Sequence, residues 1–523
     1  MTAIGSTSSG TVLFGLDAHG IQRYLFATAK LREIVGASQL VADLTDGWVR
    51  ETLAHLAIQP RSRGGDAWYE PVRLGGGSVR LVLSTADVAP MLLGAIRRRA
   101  ICEAPGLSFD AAWVPYDAAG GDLAEANRLL IARINADRNH PRDGGGFKGF
   151  PISAPCRMTF EPAAGFGQDR NERLCGASLA KRRAQAHGRG DWRYFVADHP
   201  LVQARAQADD PFETELNEIA NGDADNGYVA VACLDLNDLG KRGQEETSGR
   251  VGFAASEAFY RFTEHVKRAT KAAFHSGLDA IASDALAAAT LAANQPPRRL
   301  PLRPLVIGGD DMTFVMDARL AAPFVLGMLR SFEADGFHGG AGIAFVKAKS
   351  PFGRAVGVAE DLVAMSKAKG RTTSHVDFMT CAGEVPADVR DARMAALTSE
   401  ARLTAGPWTL DGFSALVRKA ATLARLPRGH VRGAADRCHE GVEEGHRAFV
   451  DLRENLARGL GGRPDGDRGL PVTEPDLLAM YPDGFFTRSA DGSVTDLLDC
   501  IDLFRFVTTP AVPTNRRPRE ARS

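Results

Sequence analysis

The fold is decided by the stretch Arg303-Pro304-Leu305-Val306-Ile307-Gly308-Gly309-Asp310-Asp311-Met312-Thr313-Phe314-Val315-Met316. Apolar and β-branched runs flank two glycines and two aspartates, which predicts a β-hairpin with Gly308 and Gly309 in its turn. Glycine accepts positive φ without steric cost and leaves the backbone open to a bulky triphosphate. Asp310 and Asp311 repel each other unless a cation neutralises them, and Mg²⁺ is the usual partner of such a pair. An exposed Asp-Asp turn without catalytic role is the alternative.

A third carboxylate follows a second apolar run. Residues Tyr228–Leu234 are all apolar, as is typical of a buried central strand, and Asp235 comes directly after them. Asn237 and Asp238 follow and begin a helix. Palm-type nucleotidyl transferases place one metal ligand at such a strand end, beside a second acid on a neighbouring hairpin. We therefore expect Asp235 and Asp311 to share cations that hold the two oxygens of an in-line displacement.

The order of predicted elements occurs twice in the chain. Strand, helix, a glycine-rich hairpin, helix and strand follow one another in residues 12–114 and again in residues 228–346. This is the βαββαβ order of ferredoxin-like domains, and its repetition predicts an internal duplication. An accidental recurrence of a frequent order is the alternative.

The first copy carries a different hairpin. Leu74-Gly75-Gly76-Gly77-Ser78 corresponds to Ile307–Asp311, and Leu16–Gly20 corresponds to Leu234–Asp238. Gly75, Gly76, Gly77 and Ser78 could cradle phosphate through their backbone, but they bring no hairpin acid. We expect only the second copy to be catalytic.

The expected fold class is α+β, with two ferredoxin-like palm domains, an inter-palm linker domain and a C-terminal helical domain. The predicted boundaries are a first palm domain at 1–120, the linker domain at 121–222, the second palm domain at 223–400, a separate helical domain at 401–507 and a disordered tail at 508–523. A length of 523 residues suits several domains.

Composition excludes several classes of protein. The 63 basic and 64 acidic residues leave almost no net charge, so any nucleic-acid contact must be a local patch. Seven scattered cysteines without a C-x-x-C pair predict reduced thiols in a cytoplasmic protein and no zinc site. No apolar stretch approaches 18 residues and no signal peptide is evident, so we expect neither membrane insertion nor export.

Two basic segments are candidate phosphate contacts. Lys367 and Arg371 lie one helical turn apart, a spacing that suits the β- and γ-phosphates of a nucleotide. The same cations could simply satisfy the last carbonyls of a helix. Lys181-Arg182-Arg183, with Arg189 and Arg193 near Trp192, predicts a patch that could meet RNA, although a solvated helix face is the commoner structure of such a run.

Several of these motifs resemble one protein family. Leu16–Phe26 and Lys30–Ser38 resemble the first palm domain of the large subunit of type III CRISPR effector complexes, in the form that lacks the HD nuclease domain. The second palm is similar to that family through Asp235–Gly240, the Gly308–Asp311 hairpin and Ser366–Lys369. The resemblance spans most of residues 11–507.

The resemblance implies a synthase that joins ATP into 3′–5′ cyclic oligoadenylates, second messengers of antiviral defence. By position, the family's metal ligands, for Mg²⁺ or Mn²⁺, would be Asp235, Asp310 and Asp311. The nucleotide-binding positions would be Asn237, Gly308, Gly309, Lys367 and Arg371 for one ATP, and Gly75, Gly76, Gly77 and Ser78 for the ATP whose 3′-hydroxyl attacks. The implied partners are crRNA, other effector subunits including a small helical one, and target RNA as trigger.

Departures from the family keep other functions open. The chain contains no His-Asp dipeptide, so cleavage of single-stranded DNA is not predicted, and only Cys156 and Cys175 remain where relatives often bind zinc. The alternatives are a stand-alone cyclic nucleotide synthase of the same polymerase group and a catalytically silent RNA-binding scaffold. A diguanylate cyclase is disfavoured, because Asp311 and Met312 stand where that class usually has Glu and Phe. The choice of adenine depends on the resemblance alone.

Overall fold

The computed structural model of the protein describes residues 10–139, 154–167, 171–186, 192–205, 210–220, 227–293, 299–394, 396–398, 400–460, 471–489 and 492–507. The predicted disordered tail at 508–523 and the basic residue Arg189 lie outside the described residues.

The first βαββαβ unit contains five strands and four helices. Its elements are β1 (Val12–His19), α1 (Ile21–Leu25), α2 (Leu31–Ala42), a π-helical turn (Asp43–Gly47), α3 (Trp48–His55), β2 (Gln59–Pro60), a 3-10 turn (Arg61–Arg63), β3 (Trp68–Gly75), β4 (Ser78–Leu83), α4 (Val88–Glu103) and β5 (Ser108–Pro115). The sheet order is β2-β3-β4-β1-β5, so β1 lies between the hairpin strand β4 and β5. Both neighbours run antiparallel to β1.

Short elements connect the two units. They are α5 (Leu123–Asn139), β6 (Gly165–Phe166), β7 (Arg173–Leu174), α6 (Gly176–Ala186), α7 (Trp192–Val196), α8 (Pro200–Gln203) and α9 (Leu216–Ile219). Helix α5 covers one face of the first sheet, where Leu130 packs with Leu13 and Val82 in a small core.

The second βαββαβ unit has the same order and a longer sheet. Its elements are β8 (Tyr228–Leu236), α10 (Leu239–Thr247), α11 (Gly252–Ser283), α12 (Ala285–Ala293), β9 (Leu302–Gly308), β10 (Asp311–Asp317), a 3-10 turn (Ala318–Leu320), α13 (Ala321–Ala334), β11 (Gly339–Lys347), α14 (Phe352–Lys369), β12 (His375–Cys381) and α15 (Val389–Met394). Strand β8 lies between β10 and β11, antiparallel to both. The predicted element order is confirmed in both units.

Burial on both faces explains why β8 is a continuous apolar run. Ala230 and Leu234 face one hydrophobic core, which α11 and α13 cover. Val229 and Val231 face a second core, shared with α14 and with helices of the first unit. The two units therefore share one continuous hydrophobic core.

The C-terminal segment is mostly helical. Its elements are β13 (Ala401–Arg402), β14 (Trp408–Thr409), α16 (Leu410–Leu423), α17 (Arg428–Glu440), α18 (Val442–Ala457), α19 (Glu474–Met480), β15 (Thr487–Ser489), β16 (Gly492–Val494) and α20 (Leu497–Leu503). Strand β14 pairs with β12 of the second sheet. Phe413 packs on Phe378 of that sheet, and Phe506 stacks on Phe345 with ring centroids 4.3 Å apart. The helices form as predicted, but they share a core with the second unit instead of forming a separate one.

The basic run after β7 does not form an exposed patch at its first two positions. The ammonium of Lys181, which is 3% exposed, donates to the Tyr24 carbonyl at 2.5 Å. Arg182 pairs with Glu33 and Glu172, each at 2.7 Å. These cations attach α6 to the first unit, so at Lys181 and Arg182 the structure has neither a patch that could meet RNA nor a solvated helix face. Among the described residues, no helix is long and apolar enough to cross a membrane.

Candidate functional site

Two of the three predicted catalytic acids lie side by side. Asp311 begins β10 directly opposite Asp235 near the end of β8. Directly opposed residues of antiparallel strands have β-carbons roughly 4.5–5.5 Å apart and project to the same face. Asp310 lies in the turn, where its backbone carbonyl accepts the Leu236 N–H at 3.2 Å. The hairpin tip is therefore tied to the end of β8.

The electrostatics of this pair favour a bound cation. Asp311 is still exposed to solvent, but partial desolvation by the surrounding protein, followed by the charges of Asp235 and Asp310, raises the pKa of Asp311 to about 6. Burial also raises the pKa of Asp235, although the Lys367 ammonium opposes that change. Carboxylates that repel each other while partly desolvated gain most from a positive charge placed between them.

Lys367 supplies one such charge. Its Nζ lies 2.5 Å from Asp235 Oδ2 and donates to the Leu236 carbonyl at 3.1 Å. Helix α14 reaches this position because the facing strand has glycines: a β-carbon on Gly340 would lie 2.9 Å from Lys367 Cγ, and one on Gly342 would lie 2.0 Å from the Ala359 carbonyl oxygen. The predicted phosphate-binding lysine thus contacts Asp235, one of the predicted catalytic carboxylates.

Arg371 lies on the rim of the site, paired with Asp238. Its Nη1 is 2.7 Å from Asp238 Oδ1, and its backbone carbonyl accepts a hydrogen bond from Asn237 Nδ2 at 3.0 Å. Asp238 has a φ of 55°, a left-handed conformation that is uncommon outside glycine. Asn237 Oδ1 is buried and has no hydrogen-bond partner among the described residues, so it remains an available acceptor.

The first unit has an equivalent corner, where the end of β1 meets the start of β4, but it carries different side chains from the Asp235–Asp311 corner of the second unit. Asp17 on β1 lies opposite Ser78 on β4, the register position of Asp235 and Asp311. Ser78 donates to Asp17 at 2.7 Å, and Arg80 contacts both oxygens of Asp17, at 2.8 and 2.9 Å. Burial raises the pKa of Asp17, but the combined effect of Arg80 and Ser78 is larger and lowers it. This corner holds one carboxylate, already neutralised by a guanidinium.

The two glycine hairpins meet. A β-carbon on Gly76 would lie 2.9 Å from the Gly308 carbonyl oxygen, so only a residue without one permits this approach. Gly75, Gly76 and Gly77 all have positive φ, as does Gly309 in the other turn. The bare backbones of both turns therefore border one space between the units.

Comparisons with known proteins show which solved structures share this fold. No protein-family model and no curated protein matches the chain. Solved structures do. A Csm1–Csm4 cassette in complex with cA3 matches 95% of this chain and 69% of its own, with TM-score 0.54 and 13% identity. Csm1 in T. onnurineus matches over 97% of this chain and 70% of its own length, with TM-score 0.54 and 14% identity. A Csm1–Csm4 cassette in complex with one ATP matches over 95% of this chain and 69% of its own length, with TM-score 0.52 and 15% identity.

The chain has the Csm1 fold. At this level of identity the likeness is one of fold, and it covers nearly the whole chain. The comparison therefore agrees at the level of the fold with the resemblance that the sequence motifs indicate.

Two further candidate functional residues, Glu360 and Gln22, were not predicted from the sequence. Burial, followed by the charge of Asp311, raises the pKa of Glu360 on α14 to about 7. Gln22 on α1 of the first unit donates to Glu360 Oε1 at 2.6 Å. Glu360 precedes Lys367 by seven residues, and this spacing, which places both on one helix face, was the available signal.

Two of the three carboxylates expected to bind a divalent cation are placed to do so. Asp235 and Asp311 supply carboxylate oxygens, the ligands that Mg²⁺ prefers. Within the part of the chain that the structure describes, no three His, Cys, Asp or Glu side chains are grouped as a metal site, so Asp310 does not complete the expected three-carboxylate cluster. Mg²⁺ usually keeps several waters and binds through one or two carboxylates plus substrate phosphates, which this pair allows.

Proposed function

We propose that the chain is a nucleotidyl transferase that joins ATP into 3′–5′ cyclic oligoadenylates as the large subunit of a type III CRISPR effector complex. The observation that carries the proposal is the register of Asp235 opposite Asp311 at adjacent strand ends. Solved Csm1–Csm4 cassettes in complex with ATP, pppApApA and cA3 share the fold and support nucleotides as its ligands.

In this proposal the chain acts by positioning and by charge. A divalent cation held by Asp235 and Asp311 would neutralise triphosphate charge and make the α-phosphorus more electrophilic. The open backbone of Gly308 and Gly309 receives the triphosphate of the donor ATP, and Lys367 and Arg371 lie at the edge of the same space. Lys367 can move from Asp235 to a phosphate, because its charge sits on a flexible four-carbon stem.

The first unit supplies the acceptor in the proposed reaction. Gly75, Gly76, Gly77 and Ser78 would hold a second ATP, whose 3′-oxygen attacks the α-phosphorus of the first while pyrophosphate leaves. The contact between Gly76 and Gly308 brings the two turns together and supports this division of roles. Holding two reactants in line is the larger part of such catalysis, which requires no protein nucleophile.

The deciding experiment is turnover of ATP by the protein with Mg²⁺ or Mn²⁺, alone and with its effector subunits, crRNA and target RNA. We expect cyclic oligoadenylates and pyrophosphate, abolished by Asp310→Ala combined with Asp311→Ala. Asp335→Ala, which removes an exposed carboxylate at the end of α13, is the matched control and should retain activity.

Other outcomes separate the alternatives. Product from protein alone would indicate a stand-alone synthase, and a cyclic dinucleotide from GTP would indicate a diguanylate cyclase. Binding of crRNA and partner subunits without pyrophosphate release from any nucleotide would refute the synthase and leave the scaffold role.

A further inference from the structure

One face of α14 carries two charged residues, Glu360 and Lys367. Val356, Glu360, Val363 and Lys367 follow each other at intervals of four, three and four residues, so they form a single stripe along the helix. The two valines are buried in the core that joins the units. Lys367 at one end of the stripe contacts Asp235. Glu360, two turns earlier, faces the first unit instead.

Glu360 makes a direct polar contact between the two units. Gln22 Nε2 donates to Glu360 Oε1 at 2.6 Å, although the two residues are 338 positions apart in the chain. Gln22 lies in α1, the short helix that directly follows β1. A hydrogen bond from an amide to an ionised carboxylate is stronger than one between neutral groups.

Helix α1 is also in contact with the glycine hairpin of its own unit. A β-carbon on Gly77 would lie 2.8 Å from Ile21 Cδ1, so the turn rests on the residue next to Gln22. On its other side the turn meets Gly308 through Gly76. A closed series of contacts therefore surrounds the site, from the second hairpin to the first hairpin, to α1, and through Gln22 back to α14.

We propose that Glu360 is a positioning residue that, through Gln22, holds the glycine hairpin of the first unit in place over Asp235 and Asp311. This inference rests on the proposed function for its catalytic meaning, because the first hairpin is the proposed acceptor site. Tyr24 and Leu25 anchor the far end of α1 in the shared core, so loss of the Gln22–Glu360 contact frees the end of α1 that meets the hairpin, and the 3′-oxygen of the acceptor is then held less firmly in line.

The Gln22–Glu360 pair can be tested by interchanging its two side chains. Gln22→Glu places two carboxylates against each other and breaks the contact, while Gln22 is exposed, so the fold should tolerate the change. The double variant Gln22→Glu with Glu360→Gln restores an amide donor opposite a carboxylate acceptor in reversed order. Assays at about pH 8.5 favour the ionised form of both carboxylates, because burial raises the pKa of Glu360 to about 7; repetition at higher pH tests whether the two carboxylates share a proton in Gln22→Glu. Asp361→Asn, the exposed neighbour on α14, is the matched control.

Two measurements are needed. Hydrogen exchange of α1 and of residues 75–78 reports the Gln22–Glu360 contact independently of catalysis. We expect faster exchange in Gln22→Glu, and wild-type exchange rates in the double variant and in Asp361→Asn. Steady-state kinetics should show kcat lowered on the order of 10- to 100-fold in Gln22→Glu with little change in KM, because small misplacements of reactants have effects of that size. The double variant should recover most of kcat.

The outcomes distinguish the two proposals. Unchanged exchange and unchanged kcat in Gln22→Glu, or a double variant that is no better than the single one, would overturn the positioning role. Rescued exchange without rescued kcat would keep the contact but refute its effect on the reaction. If wild type releases no pyrophosphate from ATP under any condition, the synthase fails, while the exchange data still decide whether Gln22 and Glu360 join the units.

Discussion

Replacement of Gly342 by alanine is expected to push α14 away from β11 and to destabilise the second unit. The new β-carbon would lie 2.0 Å from the backbone oxygen of Ala359 and 2.7 Å from Leu362 Cβ. Non-bonded heavy atoms rest about 3.5 Å apart, and neither of these can rotate away, so the helix must shift by roughly 1.5 Å. Overpacking costs about 1–3 kcal/mol, and a clash with backbone belongs at the upper end.

Gly340→Ala is the matched comparison two residues earlier on the same strand. Its β-carbon would lie 2.9 Å from Lys367 Cγ, a side-chain atom that can rotate, and 3.1 Å from the Val363 carbonyl oxygen. We expect a loss of about 1 kcal/mol. The displaced lysine should leave Asp235, so this variant should lose activity while it keeps most of its stability.

The assay is urea unfolding followed by far-UV circular dichroism, with the midpoint of the first transition as the measured quantity. A single fitted free energy is not appropriate for a chain with several cores. The reasoning is refuted if Gly342→Ala unfolds at the same urea concentration as Gly340→Ala, because the close approach of α14 to β11 would then not exist in solution. Pyrophosphate release by Gly340→Ala tests the second half of the prediction.

Three further variants test other parts of the structure. Lys367→Met should lower kcat/KM for ATP at least about tenfold with unchanged circular dichroism, because Asp235 loses its cation; unchanged kinetics would contradict this. Asp210→Ala should destabilise by about 3–5 kcal/mol in urea unfolding, since it leaves the guanidinium of Arg303, now 2.8 Å from Asp210, buried without an ion pair. Burial raises the pKa of Asp499 to about 8, so the stability that this group contributes is fully present below pH 4 and is lost as pH rises towards 8, by roughly 1 kcal/mol per pH unit. The thermal midpoint of the wild type should therefore decline between about pH 5 and pH 7.5, and Asp499→Asn should flatten this decline. Parallel curves for wild type and variant would disprove the pKa shift.

The strands and hairpins could be predicted because their signals are local. An apolar run that ends in Asp235 and a glycine pair before Asp311 mark two strand ends, and the repeated order of elements supplies the topology. The pairing of Asp235 with Asp311 follows, because a ferredoxin-like order places the first strand beside the third. Periodicity and turn chemistry were sufficient for that part of the site.

The remaining features depend on distant contacts that no local pattern encodes. Lys181 and Arg182 look like an exposed basic run until the carboxylates that bind Arg182 are located elsewhere in the chain. The pairing of Gln22 with Glu360 joins residues 338 positions apart. The helices after Thr409 have their own apolar faces, but the sequence does not reveal that these faces complete the core behind the second sheet.

The difference between the two corners follows from the cation each one carries. In the first unit, Arg80 binds both oxygens of Asp17 and also contacts Asn127, so the positive charge is fixed by several hydrogen bonds within a rigid, planar group. In the second unit, Lys367 contacts a single oxygen of Asp235 through a compact ammonium on a flexible stem. A guanidinium bound in this way would compete with a metal ion for the oxygens of Asp17, whereas the ammonium of Lys367 could move to a phosphate. The two similar units thus carry one carboxylate with a firmly held cation and one with a cation on a flexible stem, an asymmetry that suits the proposed division into an acceptor site and a catalytic site.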